Sequence, residues 1–116
     1  MYSIQGTTIR LTRGDTLIIQ ISLKRGSSDY TPVNGDVIRF YLGEKRMNAG
    51  RTAYLNEGAI LTKEIDVNNM ILRLDPEDTK ELDFGTYVYD LEMTYSDGSV
   101  DTFIAGKDFI IEPEVA

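Results

Sequence analysis

Cysteine and histidine are both missing from this chain of 116 residues. Without cysteine there can be no disulfide, no thiolate metal site and no cysteine nucleophile. Without histidine the usual general base, the commonest metal ligand and the side chain that titrates near neutral pH all disappear together. Tryptophan is absent too, and proline occurs only three times. No apolar run approaches the roughly 20 residues that a membrane helix requires. Residues 1–6 have neither the basic nor the apolar region of a signal peptide. The expectation is a soluble protein, made in a cytoplasm and not engaged with a membrane.

What is present is ordinary for a globular domain: 41% hydrophobic and 27% charged residues, with seven tyrosines and four phenylalanines. The length suits one domain over residues 1–116, large enough for a core that needs no covalent staple. Charge is uneven along the chain. Residues 1–63 hold nine Lys/Arg and five Asp/Glu, net +4, whereas residues 64–116 hold three and fourteen, net −11, giving −7 in all. A net-acidic chain is a poor partner for the phosphates of nucleic acid, so none is expected. The polarity along the chain reads either as charges on solvated faces or as a bipolar module that docks by opposite charge.

Hydrophobic alternation at period two runs through most of the chain and predicts strands. Residues 7–13 alternate around Ile9 and Leu11, and residues 16–24 place Leu17, Ile19, Ile21 and Leu23 on one face. Residues 25–35 hold Gly26, Pro32 and Asn34-Gly35 and read as a loop ending in a turn. Residues 36–43 turn Ile38, Phe40 and Leu42 inward. Residues 44–58 read as an extended loop or an irregular edge hairpin. Ala59–Ile65 and residues 69–74 are further strands, the second with Met70, Leu72 and Leu74 in alternation. One short helical turn is expected at residues 75–82, capped by Asp75, with Pro76 at its first position and acids at its positive end. Residues 86–95 form a long strand with Tyr87, Tyr89, Leu91 and Met93 on one face. A Ser96-Asp97-Gly98-Ser99 turn of type I′ leads into a last strand from Val100 that is interrupted by a bulge at Gly106-Lys107, resumes at Phe109 and ends at Pro113.

Asp83-x-Gly85-x-Tyr87 precedes that long strand. In immunoglobulin-like sandwiches this spacing marks a corner tyrosine that bonds back to nearby backbone, two residues before a core position. Here Tyr89 occupies the core position where antibody domains carry cysteine. The fold expected is therefore all-β, an immunoglobulin-like antiparallel β-sandwich of seven or eight strands with one short helical turn. Asp83, Gly85 and Tyr87 are its structural corner.

Candidate chemistry is thin. Arg13-Gly14-Asp15 spells an integrin-ligand tripeptide but also suits a turn between strands. Asp75, Glu77, Asp78, Glu81 and Asp83 offer oxygen atoms to a calcium ion, without the spacing of a dedicated loop, and capping already accounts for Asp75 through Asp78. Asp90 and Glu92 share a strand face as paired carboxylates do in glycosidases, yet such a pair needs a substrate cleft. Tyr30, Tyr41, Tyr54, Tyr95 and Phe103 can stack sugars or can pair across strands. Lys45, Arg46 and Arg51 make one basic knot, a solvated loop or a docking loop for an acidic partner surface. No catalytic residue, cofactor or metal site is assigned.

The order of motifs carries a resemblance. Thr12-Arg13-Gly14-Asp15-Thr16 leads into an apolar strand, and Asn34-Gly35-Asp36 opens another. Asp75-Pro76-Glu77-Asp78-Thr79-Lys80 is followed by Gly85-Thr86-Tyr87-Val88-Tyr89-Asp90, the Ser-Asp-Gly-Ser turn and a last strand ending near Pro113. Over about residues 9–112 the chain resembles small immunoglobulin-like proteins of phages and prophages of Gram-positive bacteria. It is also similar to the amino-terminal domain of phage baseplate upper proteins. The resemblance implies a non-enzymatic structural or adaptor role in a virion, in tail, baseplate or neck. The implied partners are other virion structural proteins or further copies of the chain. A carbohydrate- or cell-surface-binding module is the alternative.

Overall fold

The computed structural model describes residues 1–44, 46–48, 51–53 and 59–114. Among them lie β1 (Tyr2–Gln5), β2 (Thr8–Thr12), β3 (Leu17–Gln20), β4 (Leu23–Arg25), β5 (Ser28–Tyr30) and β6 (Val37–Glu44). There follow β7 (Arg46–Asn48), β8 (Arg51–Ala53), β9 (Ala59–Ile65), β10 (Ile71–Leu74), the helical turn α1 (Pro76–Thr79), β11 (Gly85–Thr94) and β12 (Val100–Glu112). The fold is all-β with one short helix. Six strands form one sheet in the order β1-β2-β12-β11-β6-β9, and β10 pairs with β3 in a smaller sheet that faces it. The core draws on both of these sheets and on Leu23 of β4, and β4–β5 and β7–β8 form two small hairpins.

Alternation explains which faces meet. On β6, Ile38, Phe40 and Leu42 are fully buried, and across the pairing Tyr89, Leu91 and Met93 of β11 point the same way. Leu17 of β3 and Leu72 and Leu74 of β10 close the core from the opposite layer. Phe109 and Ile111 of β12 and Ile9 and Leu11 of β2 complete it on one side. Phe40, Tyr89 and Phe109, from three neighbouring strands, form a ring cluster with centroids 5.7, 6.0 and 6.2 Å apart. Ring pairs at such separations add to stability beyond their buried area.

Several expectations need correction. The main sheet is mixed rather than wholly antiparallel, because β2 runs parallel to β12 with Ile9 opposite Phe109. Residues 2–5 form an edge strand that the sequence pattern did not signal, since all four residues stay exposed. The run expected as one strand over residues 16–24 divides at Ile21-Ser22. Ile21 N–H donates to Met70 O at 2.7 Å, and the chain then turns to pair Leu23–Arg25 with Ser28–Tyr30. That pairing also makes a hairpin of part of the expected loop over residues 25–35. The bulge expected at Gly106-Lys107, by contrast, is found: β12 runs on through it, and its extra residues lie opposite β11 between Tyr89 and Glu92.

The hairpin joining β11 to β12 also differs from a type I′ turn. Gly98 N–H donates to Tyr95 O at 2.9 Å and Tyr95 N–H to Ser99 O at 2.8 Å. Of the turn residues only Gly98 has a positive φ, at +91°. That is the three-residue hairpin, a type I turn closed by one left-handed residue. Asp97 stabilises it by accepting from the N–H and the hydroxyl of Ser99.

Beside this hairpin lies the one buried carboxylate among the described residues. Asp36, 5% exposed, accepts from Tyr30 Oη at 2.6 Å, Val33 N–H at 2.9 Å and Ser96 N–H at 2.9 Å. It ties the turn before β6 to the turn after β11, and Tyr30 packs edge-on against Tyr95 at 5.5 Å. Gly35 makes the approach possible. Its φ is +99°, and a Cβ there would stand 3.0 Å from the Cβ of Ser96. Replacing Asp36 by Ala leaves three donors without their acceptor, and the expected cost is on the order of 3 kcal/mol. Urea unfolding of Asp36→Ala against the parent chain measures it, and a midpoint within error of the parent contradicts the assignment.

Candidate functional site

Most of the residues singled out by sequence are bound into the fold. The corner lies where α1 leads into β11. Tyr87 is buried, and its hydroxyl donates to Asp83 O at 2.7 Å. Gly85, between them, has a φ of +142°, a backbone conformation that residues with a Cβ avoid. Burial pushes the Tyr87 phenol up from its ordinary pKa, with the nearby Asp83 and Glu44 charges adding to the effect.

Two positions on, Tyr89 reaches across the face of the six-stranded sheet. Its hydroxyl donates to Thr7 O at 2.6 Å, fastening the turn between β1 and β2 to the centre of β11. Burial pushes its pKa up to about 12.

Arg13-Gly14-Asp15 is consumed by contacts of the same kind. Arg13 lies over the Phe84 ring at 4.1 Å, pairs with Glu114 at 2.9 Å and donates to Leu82 O at 3.3 Å. Gly14 N–H donates to the hydroxyl of Thr79, a fully buried side chain on α1, at 3.0 Å. Asp15 accepts from the amino group of Met1. Arg13 and Gly14 therefore hold the end of β2 to the α1–β11 connection, while Asp15 fastens the amino terminus, and none projects as an isolated loop tip.

The acidic segment is likewise engaged. Asp75 and Asp78 form the reciprocal capping box of α1, with Asp75 N–H donating to Asp78 Oδ2 at 2.7 Å. Lys63 pairs with Asp78 at 2.9 Å. Arg73 pairs with Asp75 at 2.8 Å, and its hydrogen bond holds that carboxyl below the usual range. Glu77, Glu81 and Asp83 are exposed. Among the described residues no group of three or more acidic side chains is placed to hold a metal ion.

Asp90 accepts from Gly106 N–H at 2.7 Å, so it clamps the bulge of β12 against β11. Glu92 lies opposite Thr102 and Arg39 on the neighbouring strands. Of the aromatic set, Tyr95 is buried, and Tyr30, Tyr41 and Phe103 are half-buried. Tyr54 and Lys45 lie outside the described residues. Arg46 and Arg51 stand on β7 and β8, where Asn48 is the backbone partner of Arg51. The basic docking loop is thus described only through the backbone of that hairpin. Sequence reasoning missed Asp36, the most connected carboxylate described. Its one local signal is the polar Asn34-Gly35-Asp36 run before an apolar strand.

Set against known protein families, curated proteins and solved structures, the chain matches none. No described helix is long and apolar enough to cross a membrane.

Two outcomes check the tyrosine assignments. Tyr87→Phe removes only the bond to Asp83 O, and the expected loss is on the order of 1 kcal/mol in chemical unfolding. An unchanged midpoint would deny the corner any energetic role. For Tyr89 the folded state binds its proton more tightly than the unfolded chain, whose tyrosines titrate near pH 10. Stability from this group is full below pH 10 and falls as pH rises from about 10 to about 12, because the unfolded state ionises first. Melting temperature followed across that window should decline more steeply in the parent than in Tyr89→Phe. Equal slopes would mean that Tyr89 does not contribute.

Proposed function

We propose that this chain is a non-enzymatic structural or adaptor protein of a phage or prophage particle, acting by protein–protein assembly. The support from sequence is the motif order around Gly85-Thr86-Tyr87-Val88-Tyr89-Asp90. Three features favour the immunoglobulin-like reading on which it rests. They are the Tyr87–Asp83 bond, the parallel run of β2 beside β12, and β3 with β10 as the opposing layer.

One observation carries the assembly reading. Among the described residues, β1 and β9 are the outer strands of the six-stranded sheet, and both display large apolar side chains. Ile4 on β1 is 47% exposed and Ile60 on β9 is 44% exposed. An outer strand presents unpaired N–H and C=O groups on its free side, a template for another strand. Natural edges are commonly guarded by charge or proline, and β1, Tyr-Ser-Ile-Gln, carries neither. Strand-edge addition is a recurrent way for such sheets to join partners.

The purified chain should scatter light as particles heavier than its 13.1 kDa monomer, and Ile4→Lys with Ile60→Lys should return it to monomer. Open reading frames flanking the gene should encode tail or capsid components. A monomer at every concentration, with glycan-array binding that Tyr→Ala changes abolish, would replace assembly by the carbohydrate-binding alternative.

A further inference from the structure

The two layers are unequal, six strands facing β3 and β10 with Leu23 of β4 beside them, and a gap remains between the layers. Under that gap is a cavity of 140 Å³ between the layers. Phe40, Tyr89 and Leu91 from the large sheet and Leu72 from the small one form its floor, and each is at most 5% exposed. Ile4 of β1 and Ile104 of β12 stand at its mouth, beside the exposed turn Gly6-Thr7. The cavity is therefore a pocket with a dry floor and an open rim.

Its chemistry is restrictive. The hydroxyl of Tyr89, one of the lining residues, is already committed to Thr7 O. Among the described residues no buried side-chain N or O atom lacks a hydrogen-bond partner, so the lining offers no free buried side-chain donor or acceptor. A buried water needs about two to four polar partners, whereas an apolar cavity of about 150 Å³ stays dry and accepts benzene or xenon. Drug-sized molecules need pockets of about 300 Å³ or more, so they exceed this one.

We infer that the gap between the layers is a binding site for a small uncharged apolar ligand, an aromatic ring or branched alkyl group of about benzene size. The ligand enters past Ile4 and Ile104 and lies against Phe40, Leu72 and Leu91. It displaces no well-held water and leaves no polar group unpaired. Charged and strongly hydrogen-bonding molecules of the same volume are excluded, since nothing within would compensate their desolvation.

Benzene is the probe, and methyl-resolved NMR of the intact chain is the readout. Saturable shifts are expected at the methyls of Ile4, Ile19, Leu72, Leu91 and Ile104, with those of Ile38 and Leu11 unmoved. The melting temperature should rise with benzene, as for any ligand bound by the folded state alone. Ile104→Phe fills the mouth and Leu72→Phe fills the floor, and either should weaken benzene at least tenfold. Shifts that fail to saturate, or that spread to methyls on the far side of the core, overturn the inference in the parent chain alone. Unaltered binding by a filled variant that keeps the parent's strand spectrum overturns it as well.

Discussion

The contact that everything else depends on is the ring cluster of Phe40, Tyr89 and Phe109. Three adjacent strands of one sheet each contribute a ring to the same face, with centroids 5.7 to 6.2 Å apart. With no cysteine to join the layers, they are held by this cluster and by Leu17, Leu72 and Leu74 above it. Burying such side chains contributes about 1.5–3 kcal/mol each, which makes the packed face the dominant stabilising term. The arrangement also fixes register. A slip of one residue in β11 would turn Tyr87, Tyr89, Leu91 and Met93 out of the core together.

Tyrosine supplies what sulfur does not. Its ring packs inside while its hydroxyl reaches a polar partner at the margin. Tyr87 bonds to Asp83 O and Tyr89 to Thr7 O, Tyr2 reaches Ile18 O, and Tyr30 and Tyr95 reach Asp36 and Asp101. The Tyr89 bond bridges 82 residues of sequence and the Tyr2 bond links β1 to the smaller layer. Each bond contributes about 1 kcal/mol, yet together they anchor turns that lack covalent restraint.

What could be read from sequence follows from how local its cause is. β6 and β11 were legible because apolar residues recur at alternate positions in each strand and most of the burial follows them. α1 was legible because Asp75, Pro76 and Asp78 carry their own capping signals. The break at Ile21-Ser22 was not, because the alternation from Leu17 to Leu23 runs through it. What ends β3 is the pairing of β4 with β5. Asp36 was invisible for the same reason, since one of its donors, Ser96 N–H, is 60 residues away. Asp90 reads from sequence as part of a solvated strand face because alternation is legible there, and its clamp on Gly106 is not.

The imbalance between the layers connects the fold to what it can do. A two-stranded sheet cannot cover six strands, so the residual apolar area must be met by turns, left as a cavity or offered to another molecule. Tyr2 and the Gly6-Thr7 turn meet part of it, through the bonds to Ile18 O and from Tyr89. The cavity between Leu72 and Leu91 is the part left unfilled. Exposed Ile4 belongs both to the outer strand and to the rim of that cavity. A partner strand laid along β1 and a ligand beneath it would therefore share a boundary. Occupation of one would alter the free energy of the other through that side chain, because linkage between two sites is reciprocal.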